Sequence, residues 1–110
     1  MGLIPEFFPQ VTGFEWDDGN SDKNWLQHRV TRAEAEQVFL NRPLLLVQSP
    51  GRSPVEARYL ALGRTALDRQ LAIAFAVRGA LLRVISARTM SRRERRSYAQ
   101  AQAAEADPAF

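Results

Sequence analysis

The densest run of chemistry-bearing side chains is Arg83-Val84-Ile85-Ser86-Ala87-Arg88-Thr89-Met90-Ser91-Arg92-Arg93-Glu94-Arg95-Arg96. An alternating, strand-like segment ends at Arg88. Ser91 followed by Glu94 then has the spacing of a capping box, which opens a helix. Arg92, Arg93, Arg95 and Arg96 crowd the first turns of that helix. A helix start already carries free N–H groups and partial positive charge, so these cations repel the end they occupy. Glu94 offsets part of that repulsion. An arriving anion would offset more, and a helix N-terminus is a ready seat for phosphate. The alternative is that the arginines are solvated and splayed, since helix neighbours one position apart do not share a face.

Strict alternation along the strand puts Arg83 on one face with Ile85 and Ala87, and Arg88 on the other with Leu82, Val84 and Ser86. Arg88 would reach out beside the helix start. Arg64 ends an earlier strand that can pair opposite. For either residue a surface salt bridge and a catalytic role both fit. His28 is the only histidine; it reads equally as a cation favoured at a helix C-terminus or as an acid–base group. No glycine-flanked serine supports serine–histidine–aspartate chemistry. One histidine and no cysteine argue against zinc. A calcium loop starting at Asp17 would need a glutamate where His28 stands. No metal and no cofactor is expected.

These groups need a scaffold. Phe14-Glu15-Trp16 alternates like a short strand, and the acids between Asp17 and Asp22 suit the positive end of a helix from about Asp22 to His28. Thr31 and Glu34 form another capping box, with Val30 and Ala35 placed as a hydrophobic staple. That helix turns Ala35, Val38 and Phe39 to one face and stops before Pro43. Leu44 to Val47 reads as a strand and Ser49 to Pro54 as a loop. From Arg58 to Arg64, Leu60 and Leu62 oppose Tyr59, Ala61 and Gly63. From Leu71 to Val77, Leu71, Ile73, Phe75 and Val77 oppose alanines. Leu81 to Arg88 follows a tight turn at Arg78-Gly79. Short connections predict an antiparallel meander. The expected fold is α+β, an antiparallel sheet of four to five strands with two N-terminal helices and one C-terminal helix. The reading assigns residues 13–104 to one domain, 1–12 to an N-terminal extension and 105–110 to a tail.

The chain has 110 residues and a net charge of +3, enough for one core without staples. The charge is unevenly spread. Residues 52–96 hold eleven arginines against three carboxylates, a balance of +8, whereas the first 51 residues carry −3 and the last fourteen −2. Lys23 is the only lysine. Arginine binds phosphate through a planar fork and stacks on bases, where lysine offers a point charge. A bias toward arginine explains the choice of residue but not its clustering. No apolar run suits a membrane span and the start does not read as a signal peptide, so a cytoplasmic protein is expected.

Phe14-Glu15-Trp16-Asp17, Asn24 with His28 and Val30, Glu34-Ala35 with Val38-Phe39, Glu56 with Arg58, Gly63-Arg64, and above all Arg83-Val84-Ile85-Ser86-Ala87-Arg88 followed by Arg93-Glu94-Arg95 and Tyr98 form a familiar pattern. From about Gly13 to Tyr98 the chain resembles the BrnT toxin family. The resemblance implies a RelE-like fold and a ribonuclease that halts translation. It also implies neutralisation by a ribbon-helix-helix antitoxin, BrnA, which binds operator DNA, so that a hetero-oligomer represses its own operon. Matched to family positions, Arg64 and Arg88 stabilise charge on the scissile phosphate, while Arg83, Arg92, Arg93 and Arg95 hold neighbouring phosphates. His28 acts as base or acid, with Glu94 an alternative base and Tyr98 a proton donor. RNA supplies its own 2′-hydroxyl nucleophile, so such a reaction does not require a metal. The chain departs from the family where Asn20 and Gln27 replace lysines, Arg29 replaces glycine and Arg32 replaces phenylalanine. Two other readings stay open: a module that binds nucleic acid without turnover, and a regulatory scaffold whose arginines pair with antitoxin carboxylates.

Overall fold

Period-two alternation between Arg58 and Thr89 is realised as the centre of a five-stranded sheet. The computed structural model describes residues 7–16, 18–48 and 58–106. Its elements are β1 (Gly13–Glu15), α1 (Asp18–His28), α2 (Arg32–Leu40), β2 (Leu45–Gln48), β3 (Arg58–Arg64), β4 (Gln70–Arg78), β5 (Leu81–Thr89) and α3 (Arg92–Ala106). The sheet order is β1-β5-β4-β3-β2, and the fold is α+β as expected. The loop expected over Ser49 to Pro54, together with Glu56 and Asp17, lies outside the described residues.

Each face of the sheet buries one apolar set. Ala61, Leu71, Ile73, Phe75, Leu82, Val84 and Ala87 join Val30, Ala35, Val38 and Phe39 in the larger core. Edge-to-face packing of Phe39 on Phe75, with centroids 5.1 Å apart, ties α2 to β4. Gly63 lets α2 approach β3: a Cβ there would lie 2.7 Å from Val38 Cγ1. On the opposite face Leu62, Ala72, Met90 and Tyr98 form a smaller cluster under α3. Both helix starts adopt the expected capping boxes. The Thr31 Oγ1 accepts from the Glu34 N–H at 3.1 Å, and the Ser91 Oγ accepts from the Glu94 N–H at 3.2 Å.

Two expectations change. β1 pairs with β5 in parallel, Gly13 beside Leu81 and Glu15 beside Arg83, so the sheet is only mostly antiparallel. β5 is reached only after both helices and three further strands, so no tight turn constrains its direction beside β1. α1 begins at Asp18 and takes in much of the stretch read as a turn. Its anchor is tertiary: the side-chain Oδ1 of the buried Asn24 accepts from the Ala87 N–H at 3.0 Å, where β5 has run past the end of β1. Residues just before β1 also pack on the sheet. Val11 is fully buried, and Phe8 packs edge-on to Tyr59 at 5.0 Å.

Candidate functional site

The arginine-rich strand does not alternate throughout. β4 and β5 shift register between Ala74 and Phe75: Phe75 pairs with Val84, but Ala74 pairs with Ser86. Ile85 is the extra residue of a β-bulge. Leu82 and Val84 before it, and Ala87 after it, therefore all face the larger core. Arg83 pairs with Ala76 and Arg88 with Ala72, so both arginines lie on the α3 face. This corrects the expectation that they occupy opposite faces. Strict alternation fails because one inserted residue inverts the phase.

Arg88 is held before any ligand arrives. Its Nη1 donates to Glu94 Oε1 at 2.7 Å and its Nη2 to Glu94 Oε2 at 2.9 Å, a fork-to-fork ion pair. Nη1 also donates to the Thr89 carbonyl at 3.2 Å. The same carboxylate accepts the Ser91 N–H at 2.8 Å, so it caps α3 while it orients the arginine. The Arg88 guanidinium holds the Glu94 carboxyl down at about 2, the Ser91 bonds add to the effect, and partial burial opposes it. Pairing with Glu94 likewise raises Arg88 above its ordinary value. Glu94 is thus a fixed anion at neutral pH, committed to a cation and a helix start.

α3 crosses the sheet with Tyr98 inward. On one flank Ala101 and Ala104 line a hollow with Phe7, Arg42, Pro43 and Leu45; by helical spacing Arg93 falls on that same ridge. Arg92, Arg95 and Gln102 follow the opposite ridge. Part of the α3 face of the sheet lies beyond the helix. There a hollow of about 360 Å³ is lined by Val47, Leu60, Ala74 and Ile85, with Arg58 and Arg88 among its walls. Val47 is 52 % exposed, so its floor is open to solvent. By register Arg58 and Arg83 share this face one row beyond the floor, where both pair with Ala76. Arg83 leans toward Glu15 at 3.8 Å. Arg58, Arg92 and Arg95 are exposed and make no ion pair among the described residues. The hollow thus has an apolar floor with Arg58 and Arg88 in its walls, and Arg83 shares its face by register.

The remaining residues singled out from the sequence lie apart from it. Arg64 sits on β3, two strands from β5 and roughly 10 Å across the sheet. Its Nε donates to the Arg42 carbonyl at 3.0 Å, away from the hollow. His28 closes α1 one turn beyond Asn24. Its carbonyl accepts from Arg69 at 3.1 Å, and its ring has no hydrogen bond among the described residues. Tyr98 is fully buried and donates its hydroxyl to the Pro43 carbonyl at 2.7 Å, which ties α3 to the start of β2. Sequence reasoning overlooked two arginines. Arg58 entered as the start of a strand and as one residue of the family pattern, with no role assigned to it. Arg69 binds Glu34 Oε2 at 3.0 Å and the Arg29 carbonyl at 2.7 Å, and so clamps both helices to the β3–β4 turn. Its partners lie 35 and 40 residues away in the chain, a separation no local pattern signals.

No curated protein matches the chain. A family model described as "Ribonuclease toxin, BrnT, of type II toxin-antitoxin system" matches residues 16–94. That span runs from the Trp16 indole to the Glu94 carboxylate and takes in Arg58, the bulge and the Arg88–Glu94 pair. The chain belongs to the BrnT family, the ribonuclease toxins of type II toxin–antitoxin systems.

Proposed function

We propose that the hollow on the α3 face binds RNA and cleaves it without a metal ion, the 2′-hydroxyl serving as nucleophile. The observation that carries this reading is the Arg88–Glu94 fork, a guanidinium fixed at the rim of an open, apolar-floored hollow. Cleavage needs charge stabilisation on the pentacoordinate phosphorane, and a preoriented cation supplies it with no reorganisation during the reaction. Arg88 takes that role. Arg83, Arg92 and Arg95 hold flanking phosphates, and Arg58 closes the far wall. Glu94 orients Arg88 and does not act as the base, because its carboxyl is held near 2 and such a weak base is poorly matched to proton removal at neutral pH. Tyr98 is assigned to the core, since its hydroxyl is committed to Pro43 inside the fold. Proton transfer at the hollow falls to water, because His28, at the end of α1, lies apart from it. Arg64 and Arg93, outside the hollow, would contact RNA that runs past α3.

The wider reading is a toxin that inhibits translation in the cytoplasm and is neutralised by a ribbon-helix-helix antitoxin of the BrnA kind. The antitoxin alone would contact operator DNA. Among the described residues no helix is long and apolar enough to cross a membrane. RNA end-mapping after incubation with purified protein in chelator tests the chemistry. The expected products carry 2′,3′-cyclic phosphates and 5′-hydroxyls. Intact RNA, or activity restored only by a divalent cation, would overturn it. Growth arrest on expression alone, relieved by an adjacent antitoxin gene, tests the biological role.

A further inference from the structure

The hollow beside Arg88 is larger and more apolar than a phosphate requires. Val47, Leu60, Ala74 and Ile85 form its floor, one from each of β2, β3, β4 and β5. A phosphate gains nothing from such a surface, whereas a base loses apolar area to it. Its volume of about 360 Å³ lies at the small end of ligand clefts, which run from ~300 to ~1,000 Å³. The bases of a duplex are stacked inward and cannot reach a floor of this kind, so the occupant is unpaired. The charged groups in the walls are both guanidinium. Arg88 has its fork on Glu94, which leaves Arg58 as the wall residue with its fork available.

We propose that this hollow receives one unpaired base of the RNA, and that Arg58 makes guanine the preferred occupant. A guanidinium fork matches the O6 and N7 acceptors of guanine in a bidentate pair, whereas adenine presents an amino donor beside N7, and a pyrimidine covers less of the apolar floor than a purine. Arg58 is then a specificity-determining residue, with the apolar floor excluding water around it. The proposal rests on the ribonuclease reading for its substrate, but its test does not depend on turnover.

The test measures binding of short single-stranded oligonucleotides, made uncleavable by 2′-deoxy substitution, through fluorescence anisotropy. The set carries guanine, adenine, cytosine, uracil or an abasic residue at one position in an otherwise uniform strand. The wild-type chain is expected to bind the guanine strand about tenfold more tightly than the others. Arg58→Ala should abolish that preference, and as an exposed residue its loss leaves the fold intact. Ala74→Leu fills the floor and should bring the base-bearing strands to the affinity of the abasic one. Should Ala74→Leu fail to fold, Arg58→Ala alone decides. Equal affinity of all five strands for the wild type, or a guanine preference that survives Arg58→Ala, overturns the proposal. Cleavage without base preference would remove the base slot and leave the ribonuclease reading standing. Guanine preference in binding without cleavage would keep the slot and remove the catalytic reading.

Discussion

Two regions of the molecule use the same local device to different ends. At the start of α2, Thr31 and Glu34 form a capping box and Arg69 binds the glutamate. At the start of α3, Ser91 and Glu94 do the same and Arg88 binds the glutamate. The difference lies in what else each arginine touches. Arg69 also donates to the carbonyls of His28 and Arg29, so its guanidinium is occupied on several sides by protein oxygen and locks α1 and α2 to the sheet. Arg88 presents a straight fork to Glu94 and lines an open hollow. A capping-box carboxylate therefore serves as a hinge pin in one place and as a charge positioner in the other. The surroundings decide which.

The largest effect expected from breaking this parallel is on catalysis. Arg88→Ala should lower single-turnover RNA cleavage by about 10²–10³-fold, in keeping with the loss of one oriented donor to a developing anion. Arg88→Lys should rescue little, because an ammonium cannot reproduce the fork. Arg69→Ala should instead cost stability, about 2 kcal/mol in urea unfolding, by leaving Glu34 and two helix-end carbonyls without their cation. Its cleavage rate per folded molecule should stay close to that of the wild type.

Acid offers a finer separation. The Glu94 carboxyl is depressed to about 2 from an ordinary 4.5, so its contribution to stability is complete above about 4.5. It fades as the pH falls through that window toward 2. With solvent screening allowed for, this amounts to on the order of 1–2 kcal/mol. Glu94→Gln should flatten that part of the stability–pH profile. Glu34 is also lowered: burial pushes it up, but the Thr31 N–H and Arg69 outweigh that effect. Its loss should therefore add to acid unfolding as well.

The smallest expected effect concerns Arg29, which has φ 55° in the left-handed region as α1 ends. The glycine that resembling chains carry there would adopt that conformation without strain. Arg29→Gly should raise stability by about 0.5–1 kcal/mol, less whatever is lost from the Arg29 guanidinium over Trp25, 5.1 Å from its centroid. A thermal melt checks the sign.

Much of the frame was legible because local rules and tertiary packing agree. Thr31 and Ser91 announce helix starts, and the alternation of Leu71, Ile73 and Phe75 matches the face they bury. The site was less legible. Ile85 looks like one more apolar strand residue, and nothing in its chemistry marks it as a bulge; yet the faces of both Arg83 and Arg88 depend on it. α1 was placed too late because Asp18, Gly19, Asn20 and Ser21 favour turns locally, whereas the Asn24–Ala87 contact that anchors the helix spans 63 residues. Tyr98 and Arg64 share residue types with catalytic groups, and only their partners, Pro43 and Arg42, reveal where they are engaged.

The most direct test follows the arginine Nε–H resonances by NMR as an uncleavable 2′-deoxy oligonucleotide is added. The account predicts that Arg58, Arg83, Arg88, Arg92 and Arg95 shift together and saturate at one concentration while Arg69 stays in place. Shifts centred on Arg69 and Arg42, or spread evenly over every arginine, would contradict it.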